Sequence, residues 1–151
     1  MNNLELEVWL RMYEEQVRHA RHHETLRTQS TNVIIVLSAA ALAFFSSENI
    51  STGQHSMLMI VLIVANIYGV VMSMKHYERN RLHLEVAARY RSLLSRHSGI
   101  QGKTLNEERK IGRQKHRSRF AIVGKVRAHW LWYGLHVAIA AIFLILLFDS
   151  T

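Results

Sequence analysis

The stretch WLWYGLHVAIAAIFLILLF, residues 130–148, decides the architecture. It runs for nineteen residues without a Lys, Arg, Asp or Glu, and holds one histidine, His136. A bilayer core takes about 20 mostly apolar residues in a helix. Working outward, SMLMIVLIVANIYGVVMSM (56–74) meets the same condition with no formal charge. A third run, TNVIIVLSAAALAFF (31–45), is shorter and reaches bilayer thickness when Gln29, Ser30, Ser46 and Ser47 lie among the headgroups. Three such runs in 151 residues leave too little polar chain to cover them in a water-soluble bundle. The reading is therefore an all-α membrane protein with three transmembrane helices. Its mean hydropathy of +0.01 hides this, because an apolar half and a basic half cancel.

Charge gives the orientation. Four of the nineteen Lys and Arg residues are Arg11, Arg18, Arg21 and Arg27, and the other fifteen fall between Lys75 and Arg127. The three apolar runs have none, nor does the link at 46–55 or the tail at 149–151. Basic loops near span ends stay on the cytoplasmic side. The N-terminus and the 75–129 segment are thus expected inside, and the 46–55 link and the C-terminus outside. The inner parts carry nineteen cations against nine carboxylates, while the outer parts hold only Glu48 and Asp149. A bacterial inner membrane fits this topology. Five glutamates in the first thirty residues are wrong for a secretory signal. The absence of cysteine excludes disulfides, thiolate catalysis and Cys-based zinc sites.

With no proline anywhere and no glycine before Gly53, nothing in residues 3–46 has to break a helix. Leu6, Trp9, Tyr13, Val17 and Ala20 recur at helical spacing, so the first helix is expected to run about 40 residues, roughly 65 Å. The second repeats this plan to His97, with Leu82, Val86, Tyr90 and Leu93 on one face and Leu84, Ala87 and Leu94 on another. SGIQG at 98–102 is a turn, and Thr104 with Glu107 reads as a capping box opening a third helix. That helix is expected to pass through Phe120, Val123 and Val126 into the last span, weakened at Gly112 or Gly124. The chain then forms one membrane domain. Its parts are a cytoplasmic helix (1–30), spans at 31–46, 56–74 and 130–148, an external hairpin (47–55), a basic cytoplasmic helical hairpin (75–129) and an external tail (149–151). The extended helices are expected to pack as a bundle.

Within the spans the polar side chains are Ser38, Asn66 and His136, with Ser73 nearer an end. A polar group at that depth faces another helix or water, because lipid leaves it unpaired. Two readings follow: interhelical hydrogen bonds within one chain, or a ring of Asn66 lining an oligomeric pore. Trp130, Trp132 and Tyr133 form an interfacial belt.

Outside the spans, VRHARHHE (17–24) sets His19 and His23 at i and i+4, where one helix face could offer two imidazoles to a metal. No further ligand completes a familiar spacing, so the expectation is a polar helix face and no metal or other cofactor. Arg18 with His23, and Arg91 with His97, match the Arg-x(4–6)-His spacing of HEPN ribonucleases, a spacing that chance readily produces in a chain so rich in both residues. The densest basic run, RKIGRQKHRSRFAIVGKVR (109–127), holds Arg109, Lys110, Arg113, Lys115, Arg117 and Arg119. Attraction to anionic lipid accounts for it, at about 1 kcal/mol per basic residue near the surface. A nucleic acid or nucleotide is the competing partner, although one phenylalanine in the run argues against single-strand stacking.

The segment YEEQVRHARHHETLRTQSTN entering the first span, and KHYERNRLHLEVAARYRSLL leaving the second, resemble small bacterial membrane proteins of anti-phage conflict systems. The resemblance is to SLATT-like two-span effectors and to the small membrane proteins that accompany some CRISPR effectors. It covers about residues 10–97 and rests on Tyr13, His19, Arg27, Thr31, His76, Tyr77, Arg79, Ala87, Tyr90 and Arg91. It implies a homo-oligomer that permeabilises or depolarises the membrane when a cytoplasmic protein partner signals. The third span departs from the two-span plan, and the resemblance transfers no site residue. With no catalytic constellation in view, the chain is expected not to be an enzyme. Three functions compete, in this order: a membrane effector, an anchor recruiting a soluble nucleic-acid-processing partner through its basic helices, and a HEPN-like ribonuclease on a membrane stalk.

Overall fold

The computed structural model describes residues 3–45, 52–97, 102–119 and 127–149. These form four helices: α1 (Asn3–Phe45), α2 (Thr52–His97), α3 (Gly102–Arg119) and α4 (Ala128–Asp149). Their lengths of 43, 46, 18 and 22 residues make α1 and α2 each about 65–70 Å long.

α1 is continuous because no residue in it opposes the helix. Exposed i, i+4 pairs decorate it, Glu7 with Arg11 at 2.6 Å and Glu15 with His19 at 3.5 Å, each adding a few tenths of a kcal/mol at most. α2 passes through Gly69 without interruption. The third element differs from expectation. Arg127 is not helical, so α3 and α4 are separate helices and not one continuous rod. Of the two glycines near which a break was expected, α3 runs straight through Gly112, and it already includes Gly102, ahead of the anticipated start at Thr104. An isolated glycine costs a helix only about 1 kcal/mol, which the flanking strong helix formers offset. The turn at 98–101, Gly124 and most of the external hairpin lie outside the described residues.

α1, α2 and α4 are long and apolar enough to cross a membrane. Only 22%, 28% and 11% of their apolar stretches is buried inside the molecule. Their outward faces are rows of large apolar side chains, among them Val36, Val64, Ile67 and Ile145, each more than half exposed. A water-soluble bundle turns such rows inward.

The chain divides into two compact units: a head of Met1–His23 with Glu78–Arg127, and a body of Glu24–Tyr77 with Ala128–Thr151. In the head, Ala20 and Ala87 are buried, and Asn80 Nδ2 donates to Ala20 O at 2.8 Å, tying α2 to α1. Of the expected apolar faces, Val86, Tyr90 and Leu93 are half-buried, whereas Leu82 and Leu84 are exposed. In the body, Ala41, Met59, Leu62 and Phe143 form the core, with Phe45 meeting Phe143 edge-on at 6.3 Å.

Candidate functional site

The body's interior is polar at its middle. Thr31, Ser38, Asn66, Ser73 and His136 are all buried, Asn66 and His136 at 0% exposure. α1 supplies Thr31 and Ser38, α2 supplies Asn66 and Ser73, and α4 supplies His136. Asn66 Nδ2 lies 2.9 Å from Leu62 O and 3.3 Å from Ser38 Oγ. A backbone carbonyl only accepts, so the atom facing it must be the amide nitrogen, and this fixes the orientation of the Asn66 side chain. Its Oδ1 then faces His136 Nδ1 at 3.2 Å, and that ring nitrogen must donate. In the neutral ring Nε2 is left as acceptor, and the Thr31 hydroxyl donates to it at 3.3 Å. The result is an ordered chain, Thr31 to His136 to Asn66 to Ser38 and Leu62, that joins all three apolar helices.

The fit depends on Gly69. A Cβ added there would stand 2.6 Å from His136 Cε1 and 2.7 Å from its Nδ1. The imidazole therefore packs directly against the α2 backbone. The three polar residues singled out from sequence, Ser38, Asn66 and His136, come together here, and their polar atoms point at one another.

A second feature of the body was not foreseen. Arg27, read from sequence as one more cytoplasmic cation, is 4% exposed. Its guanidinium pairs with Glu24, and its Cζ sits 5.4 Å from the centre of the Trp132 ring. Arg27 Nε has no hydrogen-bond partner, and neither does Ser73 Oγ. Tyr77 stacks on His129 at 4.3 Å, and His129 contacts Trp130 and Tyr133, so the expected aromatic belt is a packed cluster. The missed signal was spacing: Arg27, Thr31, Ile34, Ser38 and Ala41 recur at steps of four and three along one face of α1. Met59, Leu62, Asn66, Gly69 and Ser73 do the same on α2.

In the head, His83 of α2 lies between His19 and His23 of α1, with ring centroids 5.1 and 5.5 Å away. His83 Nδ1 also meets Gln16 Oε1 at 2.7 Å. Burial, then the neighbouring His19 and Arg79, lower the pKa of His83 from its ordinary 6.5. Imidazole lone pairs lie in the ring plane, and interplanar angles of 26° and 13° stack the faces instead of aiming nitrogens at one point. Among the described residues no group of three or more potential ligands could hold a metal.

The basic set Arg109, Lys110, Arg113, Lys115, Arg117 and Arg119 belongs wholly to α3. At about 100° per residue, positions 109, 110, 113 and 117 share one side of the helix and 115 and 119 the other. The side chains of Lys110, Arg113, Lys115 and Arg119 are exposed, while those of Arg109 and Arg117 lie outside the description. On unbroken helices, Arg18 and His23 stand about 140° apart around the axis, and Arg91 and His97 about 120°.

No family, characterised protein or solved structure matches the chain.

Proposed function

We propose that the chain is a three-span protein of the bacterial inner membrane, with its N-terminus and basic helices in the cytoplasm and its C-terminus outside. On this reading the body is an anchor and the head a receptor for an anionic cytoplasmic partner, without catalytic activity of its own. The carrying observation is the outward face of the three apolar runs at 31–45, 56–74 and 130–148: rows of exposed apolar residues with no cation, around an interior in which Thr31, His136, Asn66 and Ser38 bond to one another. Exposed to lipid those groups would be unpaired; between helices each bond is worth about 0.6–2 kcal/mol. That Ser38, Asn66 and His136 satisfy one another within one chain supports a closed anchor over a lumen built from them.

The test combines extraction and topology. The chain should stay with membranes through an alkaline wash, and alkaline phosphatase fused after Thr151 should be active. A chain that remains in buffer without detergent, or a membrane-bound fusion whose phosphatase is inactive, overturns the reading.

A second reading has its own support. Only 11% of the apolar stretch of α4 is buried, which leaves broad surface for further copies of the chain. An oligomeric defence effector that depolarises the membrane on a cytoplasmic signal uses that surface, as the resemblance to conflict-system proteins implies. A membrane-potential dye separates the two: an effector collapses the potential when its partner genes are co-expressed, and an anchor leaves it intact.

A further inference from the structure

The head contains an open cavity of about 440 Å³ lined by residues of α1, α2 and α3, six of the nine exposed. Its apolar lining includes Val17 and the consecutive alanines Ala87 and Ala88, where longer side chains would fill the space. Tyr13 contributes an aromatic ring, and Arg81, Arg91 and Arg113 contribute three guanidinium groups from two helices. One carboxylate is present, Glu85, and it lies 3.5 Å from Arg81. Among the described residues no carboxylate pairs with Arg91 or Arg113, so the described lining carries two cations in excess.

We propose that this cavity binds a small phosphorylated ring compound with the size and chemistry of a mononucleotide. The volume falls within the range of small-molecule sites, about 300–1,000 Å³. Guanidinium groups present planar donor forks that match phosphate oxygens, and an excess of two sets a ligand charge of about minus two or beyond. The apolar lining and the Tyr13 ring give a flat base somewhere to stack. A lipid headgroup offers phosphate without that ring. Sequence reasoning treated the basic run of α3 as one diffuse surface. The cavity selects Arg113 from that run and adds Arg81 and Arg91 of α2, which a search for local charge density passes over.

The proposal deepens the receptor reading of the head by naming its ligand class. It is tested apart from membrane insertion, so the two can fail separately. The full chain, purified into nanodiscs of zwitterionic lipid, is titrated with ATP and with GTP, and in parallel with inorganic pyrophosphate and with vesicles containing anionic lipid. Expected is saturable nucleotide binding at micromolar concentrations. Arg91→Ala and Arg113→Ala should each weaken it about tenfold, Tyr13→Ala should weaken nucleotide but not pyrophosphate binding, and Arg119→Ala, on another side of α3, should have no effect. Circular dichroism confirms that each variant keeps its helices, and Arg91→Lys, which keeps the charge, should recover part of the affinity. Absence of saturation by either nucleotide below millimolar overturns the proposal. Equal losses from Arg119→Ala would reduce it to unspecific charge attraction. Pyrophosphate or anionic vesicles binding as tightly as nucleotide, with Tyr13→Ala silent, would make the site a bare anion or lipid site.

Discussion

Gly69 and His136 are matched in shape: the imidazole fills the place a side chain at 69 would take, with its Cε1 2.6 Å from the position of a Cβ. The clash falls on three ring atoms of a side chain held at both nitrogens, so it cannot be relieved by a small torsion. Gly69→Ala should destabilise the detergent-purified chain by about 1–3 kcal/mol, the usual cost of overpacking. Adding His136→Ala should bring less than the sum of the two single losses, with a coupling of about 0.5 kcal/mol or more. Thermal unfolding of the two single variants and the double variant measures this, and strict additivity would show that the ring does not rest on α2.

Asn66 is the branch point of the interior chain. Asn66→Leu keeps similar bulk but leaves the His136 Nδ1 proton and the Ser38 hydroxyl without their partner. A loss of about 1–3 kcal/mol is expected, because a buried donor left unpaired bears its full desolvation cost. Thr31→Val, at the end of the chain, should cost less. Unfolding midpoints in one detergent check the order, which reverses if Thr31 and not Asn66 holds the helices together.

Arg27 has lost water and gained Glu24 and the Trp132 ring. Trp132→Leu removes the ring face while keeping an apolar side chain, and should cost about 0.5–2 kcal/mol beyond the effect of Trp132→Phe, which keeps a weaker face. Equal melting temperatures for the Leu and Phe variants would assign Trp132 a purely apolar role.

The histidine stack of the head predicts a pH dependence. The pKa of His83 is lowered in the folded chain, chiefly by burial and then by His19 and Arg79. The fold therefore binds fewer protons there than the unfolded chain does. The contribution to stability is fully present above pH 6.5 and is lost as pH falls through the folded value. His19, His23, Arg79 and Gln16 all bear on this ring, so His83→Gln, which keeps polarity without a titrating group, should flatten the melting temperature between pH 7.5 and 5.5. An unchanged slope in that variant would place the titration elsewhere.

The long helices were legible because the chain has no proline and few glycines, and a helix needs no more than the absence of a breaker and an apolar face. The polar interior was legible residue by residue: Ser38, Asn66 and His136 stand out against their apolar neighbours. What was not legible was their company. Arg27 was judged by its charge and assigned to solvent, although its place four residues before Thr31 puts it on the buried face. His83 lies 60 residues from His23, and no local pattern joins them. The interruption before α4 was marked only loosely: Gly124 was one of two weak points in the sequence, and Arg127, the non-helical residue, is itself a good helix former.

The interior hydrogen bonds all run in one sense, each group donating to the next. A row of polar groups through an apolar body invites comparison with a wire, but a wire needs every member to take up a proton on one side and release it on the other. The carboxamide of Asn66 does neither near neutral pH, and its nitrogen is committed to Leu62 O. The row binds the helices together.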